Sequence, residues 1–161
     1  MQGAQGPMGP CGAKGATGAQ GPVGPTGVAL LGAYGTFVST EPRVIGNEAP
    51  VILDAVLNTS NSLGFVPGSD YVTVQLAGVY QIVYSVRPTA AACAACAAVS
   101  LLVNGAEIVN STLAAALDAA QRTGFATIAL AAGDTVSIGT SDGTLSLAEE
   151  TNAFLSLLRI A

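Results

Sequence analysis

The stretch "GPVGPTGVALLGAYG", residues 21–35, contains two glycine rhythms, and the change between them divides the chain. Glycine falls at 21, 24 and 27, in phase with a period of three, whereas the next glycines, at 32 and 35, are out of phase with it. The sequence therefore predicts a repeat over residues 1–27, a junction over 28–32 and a separate domain over 33–161. A domain of about 130 residues is long enough to bury a hydrophobic core.

Upstream of the change, the sequence is a Gly-X-Y repeat. Glycine occupies every third position from Gly3 to Gly27 without exception, which gives eight full triplets ending at Thr26. A collagen triple helix needs this period because only glycine fits at the axis that three chains share. A flexible Gly/Pro linker would not keep phase through nine glycines. We therefore predict a collagen stalk, too short to hold three chains in register by itself.

Three side chains in Y positions of the repeat are chemically notable, because Y side chains point outward from a triple helix. Thr17 and Thr26 are candidate O-glycosylation sites, and solvated threonines without glycan are the alternative. Cys11 is the candidate for an interchain disulfide, since an odd cysteine count in an extracellular protein favours intermolecular pairing. The other two cysteines, Cys93 and Cys96, lack a second pair or a histidine to complete a metal site. They either pack as small apolar residues beside alanine or form a cross-link.

Downstream of the change, turn signals recur every eight to twelve residues between β-branched or alternating runs, which is typical of an antiparallel sandwich or barrel. Tyr80 begins an alternation in which Ile82, Tyr84 and Val86 share its face. Asn104-Gly105 lies between two apolar runs, the strongest short signal for a β-hairpin. Residues 112–122 are compatible with a short helix or with an alanine-rich strand and loop, and we favour the strand and loop.

The final run "AFLSLLRIA", residues 153–161, is apolar on both faces of a strand. Phe154 and Leu158 share one face, whereas Leu155 and Leu157 share the other. A strand of this kind must be covered on both sides. Because one chain can cover only one side, a neighbouring chain could cover the other. The collagen stalk predicts three chains, so we expect a homotrimer whose interface includes Phe154, Leu155, Leu157 and Tyr80.

Four motifs in this order resemble the complement and tumour-necrosis-factor-like superfamily, in which a β-rich head follows a collagen stretch. They are "AGVYQIVYSV" (77–86), "VSLLVNGAEI" (99–108), "LAAGDTVSI" (130–138) and "NAFLSLLRIA" (152–161). The last departs from the usual pattern, because Leu155 replaces the small residue that follows the aromatic. The resemblance implies an all-β fold, a ten-strand jelly roll assembled as a threefold trimer.

Within the superfamily, the low charge and the alanine and valine richness look most like the bacterial branch, the Bacillus collagen-like glycoproteins. That resemblance implies a structural component of hair-like filaments on the spore surface, the exosporium, with other exosporium or spore-coat proteins as partners. The rival hypothesis is a ligand-binding or adhesin head that recognises a host receptor or a glycan. Family stalks are usually longer than eight triplets and follow an anchoring segment.

The composition argues against several other functions. Ten acidic against five basic residues give a net charge of −5 and disfavour nucleic acid as a partner. The most apolar run, 89–103, is shorter than the roughly 18 residues of a membrane span, so we expect none. The chain has no histidine, the usual catalytic base and zinc ligand. We therefore expect no enzyme activity, no cofactor and no metal.

Calcium enters only through the resemblance, because some members of the superfamily bind it at the apex of the head. Asp118, Asp134 and Asp142 lie in candidate loops, but their spacing does not match an oxygen-ligand loop such as the EF-hand.

Overall fold

The computed structural model describes residues 1–22, 32–89, 97–109, 111–114 and 120–161. Residues 1–22 form no strand or helix and are exposed throughout. A Cβ atom placed on any glycine from Gly3 to Gly21 would meet no other atom within 4 Å. Contacts among the residues that the structure describes therefore do not require glycine at every third position of this segment.

From residue 34 onward, the described residues form β-strands and contain no α-helix. The strands are β1 (Tyr34–Ser39), β2 (Val44–Ile45), β3 (Ala55–Thr59), β4 (Leu63–Gly64), β5 (Val72–Val74), β6 (Gly78–Val86), β7 (Ala98–Val103), β8 (Ala106–Glu107), β9 (Leu113–Ala114), β10 (Arg122–Leu130), β11 (Thr135–Ser141), β12 (Leu145–Ser146) and β13 (Ala153–Arg159). Five of them, β2, β4, β8, β9 and β12, have only two residues. The described residues thus contain thirteen strands where the resemblance implies ten, and eight of the thirteen have three or more residues.

The strands form two main sheets. The first has five strands in the order β10-β6-β13-β1-β3, and the second has the order β4-β5-β11-β7-β8, with β9 also paired to β7. Strands β12 and β2 pair separately. All of the described strand pairs are antiparallel. The sequence prediction of an all-β fold is therefore confirmed, and the architecture is that of a jelly-roll-like sandwich.

The core lies between the two sheets and is built from alternate residues of their strands. In β6, the side chains of Tyr80, Ile82, Tyr84 and Val86 are all buried, as the alternation predicted. The second sheet contributes its own inward residues, listed here: Val72, Val74, Val99, Leu101, Val136 and Ile138. Aliphatic side chains with two tyrosines and Phe37 therefore fill the space between the layers.

The Asn104-Gly105 turn is a hairpin turn, as the sequence predicted. Its φ angles of 53° and 79° are both positive, which is what a type I′ turn between β7 and β8 requires. The Asn104 side chain also binds the neighbouring turn: Nδ2 donates to Asp134 Oδ1 at 2.9 Å, and Oδ1 accepts the Thr135 amide at 2.9 Å. One asparagine therefore joins two turns at the same end of the second sheet.

The stretch 112–122 contains strand at both of its described ends, since β9 occupies Leu113–Ala114 and β10 begins at Arg122. The choice between loop and short helix for the remainder concerns residues 115–119, which lie outside the described residues.

The loop after β1 is held by a carboxylate at the far end of the first sheet. Asp54 accepts the amides of Thr40 and Glu41 at 2.9 and 3.2 Å, and the Thr40 hydroxyl at 2.9 Å. Arg43 Nη2 lies 3.9 Å from Asp54 Oδ2. Burial alone raises the Asp54 pKa, but the hydrogen bonds from Thr40 and Glu41 and the charge of Arg43 together hold that pKa below its ordinary value of 3.8. The ionised form therefore stabilises this loop.

We expect Asp54→Ala to lower the free energy of unfolding by about 1–3 kcal/mol at neutral pH, the usual range for a hydrogen-bonded charged group. Because the folded pKa is depressed, the contribution is complete above the unfolded pKa and is lost as the pH falls through the folded pKa. Urea unfolding should show a lower free energy of unfolding for Asp54→Ala than for wild type at pH 7, and nearly equal values for the two proteins at about pH 2. The control is Glu149→Ala, which removes an exposed carboxylate. An equal difference in free energy of unfolding between wild type and Asp54→Ala at both pH values would contradict the role assigned to Asp54.

Candidate functional site: the outer face of the first sheet

Strand β13 presents two chemically similar faces to two different environments. Ala153, Leu155 and Leu157 are buried with 2%, 0% and 1% of their surface exposed, and they point into the sandwich. Phe154 and Leu158 point to the opposite side and are only half-buried. Within the single chain, the second sheet covers the first set and nothing described covers the second set fully.

Three of the four residues expected at the trimer interface lie inside the core instead. Leu155, Leu157 and Tyr80 are at most 1% exposed, so a neighbouring chain could reach them only if the sandwich opened. Tyr80 also donates its hydroxyl to Leu76 O at 2.7 Å, and burial raises its pKa although the charge of Arg159 opposes the shift. Of the four, only Phe154 lies on the outward face. The sequence did not separate Phe154 from the three core residues, because both faces of β13 are apolar and the pattern does not say which face points inward.

The outward side chains of the first sheet line up in rows because the strands are in register. The middle row runs from Phe125 on β10 through Val83 on β6 and Ser156 on β13 to Thr36 on β1. The hydroxyls of Thr36 and Ser156 lie 3.1 Å apart in a hydrogen bond. Phe125 is 80% exposed, so a phenyl ring stands in water at the edge of this row.

The rows on either side continue the same chemistry. Nearer the chain termini, Leu158 lies between Gln81 and the partly exposed Tyr34. Towards the other end, Phe154 lies between Ser85 and Val38. The twelve outward positions of the three rows on β10, β6, β13 and β1 are uncharged: Thr123, Phe125, Thr127, Gln81, Val83, Ser85, Phe154, Ser156, Leu158, Tyr34, Thr36 and Val38.

Ser85 is the polar anchor of this face. It is 1% exposed and is hydrogen-bonded to Gln121 Nε2 at 2.8 Å and to the Thr123 hydroxyl at 3.1 Å. A small cavity of about 180 Å³ lies beside it, lined also by Arg87 and Phe154. The hydroxyls of Ser85 and Thr123 and the Gln121 amide are thus already hydrogen-bonded to one another.

A surface of this composition suits contact with another protein. Cores of protein interfaces are depleted in charged residues and enriched in aromatic ones, because a buried ion loses its hydration. Covering this face would bury Phe125, Leu158 and Tyr34 without removing any ionised side chain of the three rows from water.

Both chain termini of the domain lie at one end of this sheet. The amide of Arg159 donates to Ala33 O at 2.8 Å, and the amide of Val79 donates to Ala161 O at 2.8 Å. The loops around Thr40, Arg87 and Asn152 lie at the opposite end, since β1 and β6 finish there and β13 begins there. The chain therefore enters this sheet, at Ala33, beside Ala161.

The other residues singled out in the sequence do not converge on this face. Cys11 and Thr17 are exposed in the N-terminal segment. Thr26, Cys93 and Cys96 lie outside the described residues, and their predicted roles stay predictions.

The calcium candidates are separated by the fold. Asp134 and Asp142 flank opposite ends of β11, whose seven residues span roughly 23 Å at about 3.3 Å per residue. Asp134 binds Asn104 and the Ala131 amide, and these hydrogen bonds lower its pKa. The third candidate, Asp118, lies outside the described residues. No cluster of three metal-ligating side chains occurs in the part of the chain that the structure describes.

Phe125 is the interface candidate that the sequence reasoning missed. In "TGFATIAL" the residues Gly124, Ala126 and Ile128 point inward, whereas Phe125 alternates with threonine on the other side. An aromatic ring among threonines on the polar side of a strand is the signal that could have identified it.

Comparison with solved structures defines the class of the fold. The globular domain of zebrafish complement 1qA protein matches with a TM-score of 0.58 and 16% identity, over 80% of this chain and 98% of that one. Murine APRIL matches with a TM-score of 0.53 and 16% identity, over 79% and 98%. The PRD1 vertex protein P5 matches with a TM-score of 0.59 and 12% identity, over 81% and 99%. At these identities the matches show the fold, an all-β head of the complement and tumour-necrosis-factor type.

Comparison with models of protein families defines the chain more narrowly than the fold does. Residues 38–161 match the model of the BclA C-terminal domain, and the chain belongs to that family. This confirms the resemblance to the Bacillus collagen-like proteins. Comparison with curated proteins finds no match. A search of the described residues for a helix long and apolar enough to cross a membrane finds none.

The two faces of β13 can be distinguished by a pair of substitutions. Leu157→Asp should abolish the folded head, because an unpaired carboxylate would be buried between the sheets. Leu158→Asp, one residue away, should keep the β-sheet spectrum because its side chain points outward. Circular dichroism of the two proteins with wild type as reference tests this, and a folded Leu157→Asp head would place Leu157 at the surface instead.

Proposed function

We propose that this chain is a structural subunit of a surface filament, in which the head trimerises three chains and sets the register of their collagen stalk. The stalk spans residues 1–27, the junction 28–32 and the head 33–161. The observation that carries the proposal is the uncharged outer face of the first sheet, with Phe125 80% exposed at its edge. Family membership and the fold support a structural or ligand-binding role and offer no support for an enzyme.

Closed threefold symmetry is the arrangement that suits this face. In a cyclic trimer each contact is heterologous, so one part of the surface meets a different part of the next copy. The face has two such parts: the β10 edge carries Phe125, and at the opposite edge β3 pairs with β1, with Asn58 opposite Thr36 and Ala55 opposite Val38. Each copy would offer its β10 edge to the β1 and β3 side of its neighbour, and the ring would close after three copies.

The glycine period supports three chains rather than another number. Apart from each glycine and its two chain neighbours, no described residue comes within 4 Å of the Cβ positions of the glycines from Gly3 to Gly21. Close approach of other chains would account for the period, since a triple helix excludes side chains at every third residue. Because residue 33 lies at the same end of each head, three heads around one axis would release three stalks side by side.

The location of the filament is proposed from the family. Membership of the BclA C-terminal domain family supports a place on the spore exosporium, with other exosporium or spore-coat proteins as partners. Cys11 would then link stalks through interchain disulfides, and Thr17 and Thr26 would carry O-linked glycans. These three side chains lie on the stalk, so the modifications would leave the head unchanged.

We expect Phe125→Asp to convert the head from trimer to monomer without unfolding it, because three carboxylates would be buried in the assembly in place of three rings. Analytical ultracentrifugation at micromolar concentration measures the change. Val44→Asp is the matched control, since Val44 is 73% exposed and lies on β2, outside this sheet. A monomeric wild-type head, or a trimeric Phe125→Asp head, would refute the proposed interface.

We expect Gly15→Val to abolish the collagen signal in circular dichroism, measured in the cold, while the head remains trimeric. A side chain at this position would occupy the axis of the triple helix. Ala16→Val is the control, because the X position lies off the axis and the same side chain is tolerated there. If both variants kept the collagen signal, the stalk would not be a triple helix.

A further inference from the structure

A second surface lies on the opposite layer of the sandwich, at the β4 edge of the second sheet. It is a groove of about 410 Å³ that we call the Tyr71 groove. Its walls are the apolar side chains of Phe65 and Val66, the ring of Tyr71, and the polar side chains of Ser69, Thr73 and Gln75. Its volume lies within the range of about 300–1,000 Å³ that is common for small-molecule sites.

The floor of the groove is Gly64, which pairs with Thr73 on the adjacent strand β5. A Cβ atom at Gly64 would lie 3.4 Å from Gln75 Nε2 and 3.5 Å from Thr73 Cβ, so a side chain there would enter the groove. The inward neighbours Leu63, Val72 and Val74 are buried in the core, which fixes the outward direction of the floor. The groove is thus open because position 64 has no side chain.

The groove is formed before any ligand arrives. The Phe65 ring packs on the buried Phe37 ring with centroids 4.7 Å apart. The loop from Val66 to Ser69 is held by backbone hydrogen bonds from Gly68 N to Leu53 O and from Leu53 N to Ser69 O, both 2.8 Å. The Ser69 hydroxyl donates to Tyr71 O at 3.0 Å. A site fixed in this way loses little conformational entropy on binding.

The chemistry of the lining selects one kind of ligand. Every lining residue is uncharged, so an ionic ligand would find no counter-ion among them. A purely apolar ligand would cover the hydroxyl and amide groups of Ser69, Thr73 and Gln75 without replacing their hydrogen bonds to water, which is costly. The ligand that fits this lining is therefore neutral, with one apolar face and a rim of groups that both donate and accept hydrogen bonds.

We propose that the Tyr71 groove binds a neutral saccharide. The apolar face of a pyranose ring would lie against Tyr71, which is 47% exposed, and Val66, which is 70% exposed. The hydroxyls of the sugar would exchange hydrogen bonds with Thr73 and the Gln75 amide, which can both donate and accept, and would donate to the Ser69 oxygen, whose own proton goes to Tyr71 O. An aromatic ring with a polar hydroxyl, such as tyrosine, suits a ligand that is apolar in one direction and polar in the other.

This inference goes beyond the proposed trimer and does not depend on it. The groove lies on the second sheet, whereas the candidate subunit interface is the outer face of the first sheet. Three grooves on one particle would strengthen attachment to a multivalent glycan surface.

The test uses the full chain and a panel of printed oligosaccharides, neutral and acidic, followed by titration with maltose, lactose, cellobiose and chitobiose. Binding to at least one neutral disaccharide is measured by calorimetry. The variant Gly64→Leu should abolish binding because its side chain fills the groove. Tyr71→Ala should weaken binding at least tenfold, whereas Tyr71→Phe, which keeps the ring, should stay within about threefold. Phe125→Asp, on the other sheet, should leave the intrinsic affinity unchanged.

Several outcomes would overturn the proposal. They are the absence of binding to any neutral saccharide, selection of acidic glycans only, or binding that survives both Gly64→Leu and Tyr71→Ala. Circular dichroism of each variant shows whether a loss reflects unfolding, and Tyr71→Phe supplies a folded comparison if Tyr71→Ala is unstable. Ultracentrifugation of the same samples reports the trimer separately, so failure of the saccharide site and failure of the trimer are distinguishable.

Discussion

The structure depends on the position of β13, which is hydrogen-bonded between β6 and β1 in the centre of the first sheet. From this position its alternate residues face the core on one side and the outer surface on the other, as the two-residue period of a strand requires. Leu155 and Leu157 complete the core, and Phe154 and Leu158 give the outer surface its apolar character. One strand thus contributes both to the core of the head and to the uncharged outer face that we propose as the contact between heads.

The two sheets differ in the chemistry of their outer faces. Across the first sheet, aromatic and aliphatic side chains alternate with hydroxyls that bond to one another, as Thr36 does to Ser156. At the edge of the second sheet, the hydroxyls and the Gln75 amide point into an open groove beside an exposed tyrosine ring. Polar groups that are already hydrogen-bonded within the protein can be buried at little cost, which favours a protein contact on the first sheet. Polar groups that face solvent can exchange water for a ligand, which favours a binding site in the groove.

Much of the fold could be predicted because its signals are local. The positive φ angles at Asn104 and Gly105, and the alternation from Tyr80 to Val86, follow from residue type and period alone. Which face of β13 points inward could not be predicted, since leucine and phenylalanine occur on both sides. The Tyr71 groove was also hidden, because it depends on the missing side chain of Gly64 and on the pairing of β4 with β5. That pairing is a long-range property without a local signal.

The antiparallel arrangement that brings Ala33 and Ala161 to the same end of the head gives the particle a direction. A peptide or fluorescent tag fused after residue 161 would emerge near Ala33, in the narrow space where three stalks would converge in the proposed trimer. The turn at Asp142 and Gly143 lies at the other end, past the end of β11. For displaying a foreign antigen at the tip of such a filament, an insertion in that turn is therefore the better design, although a C-terminal fusion is simpler to make.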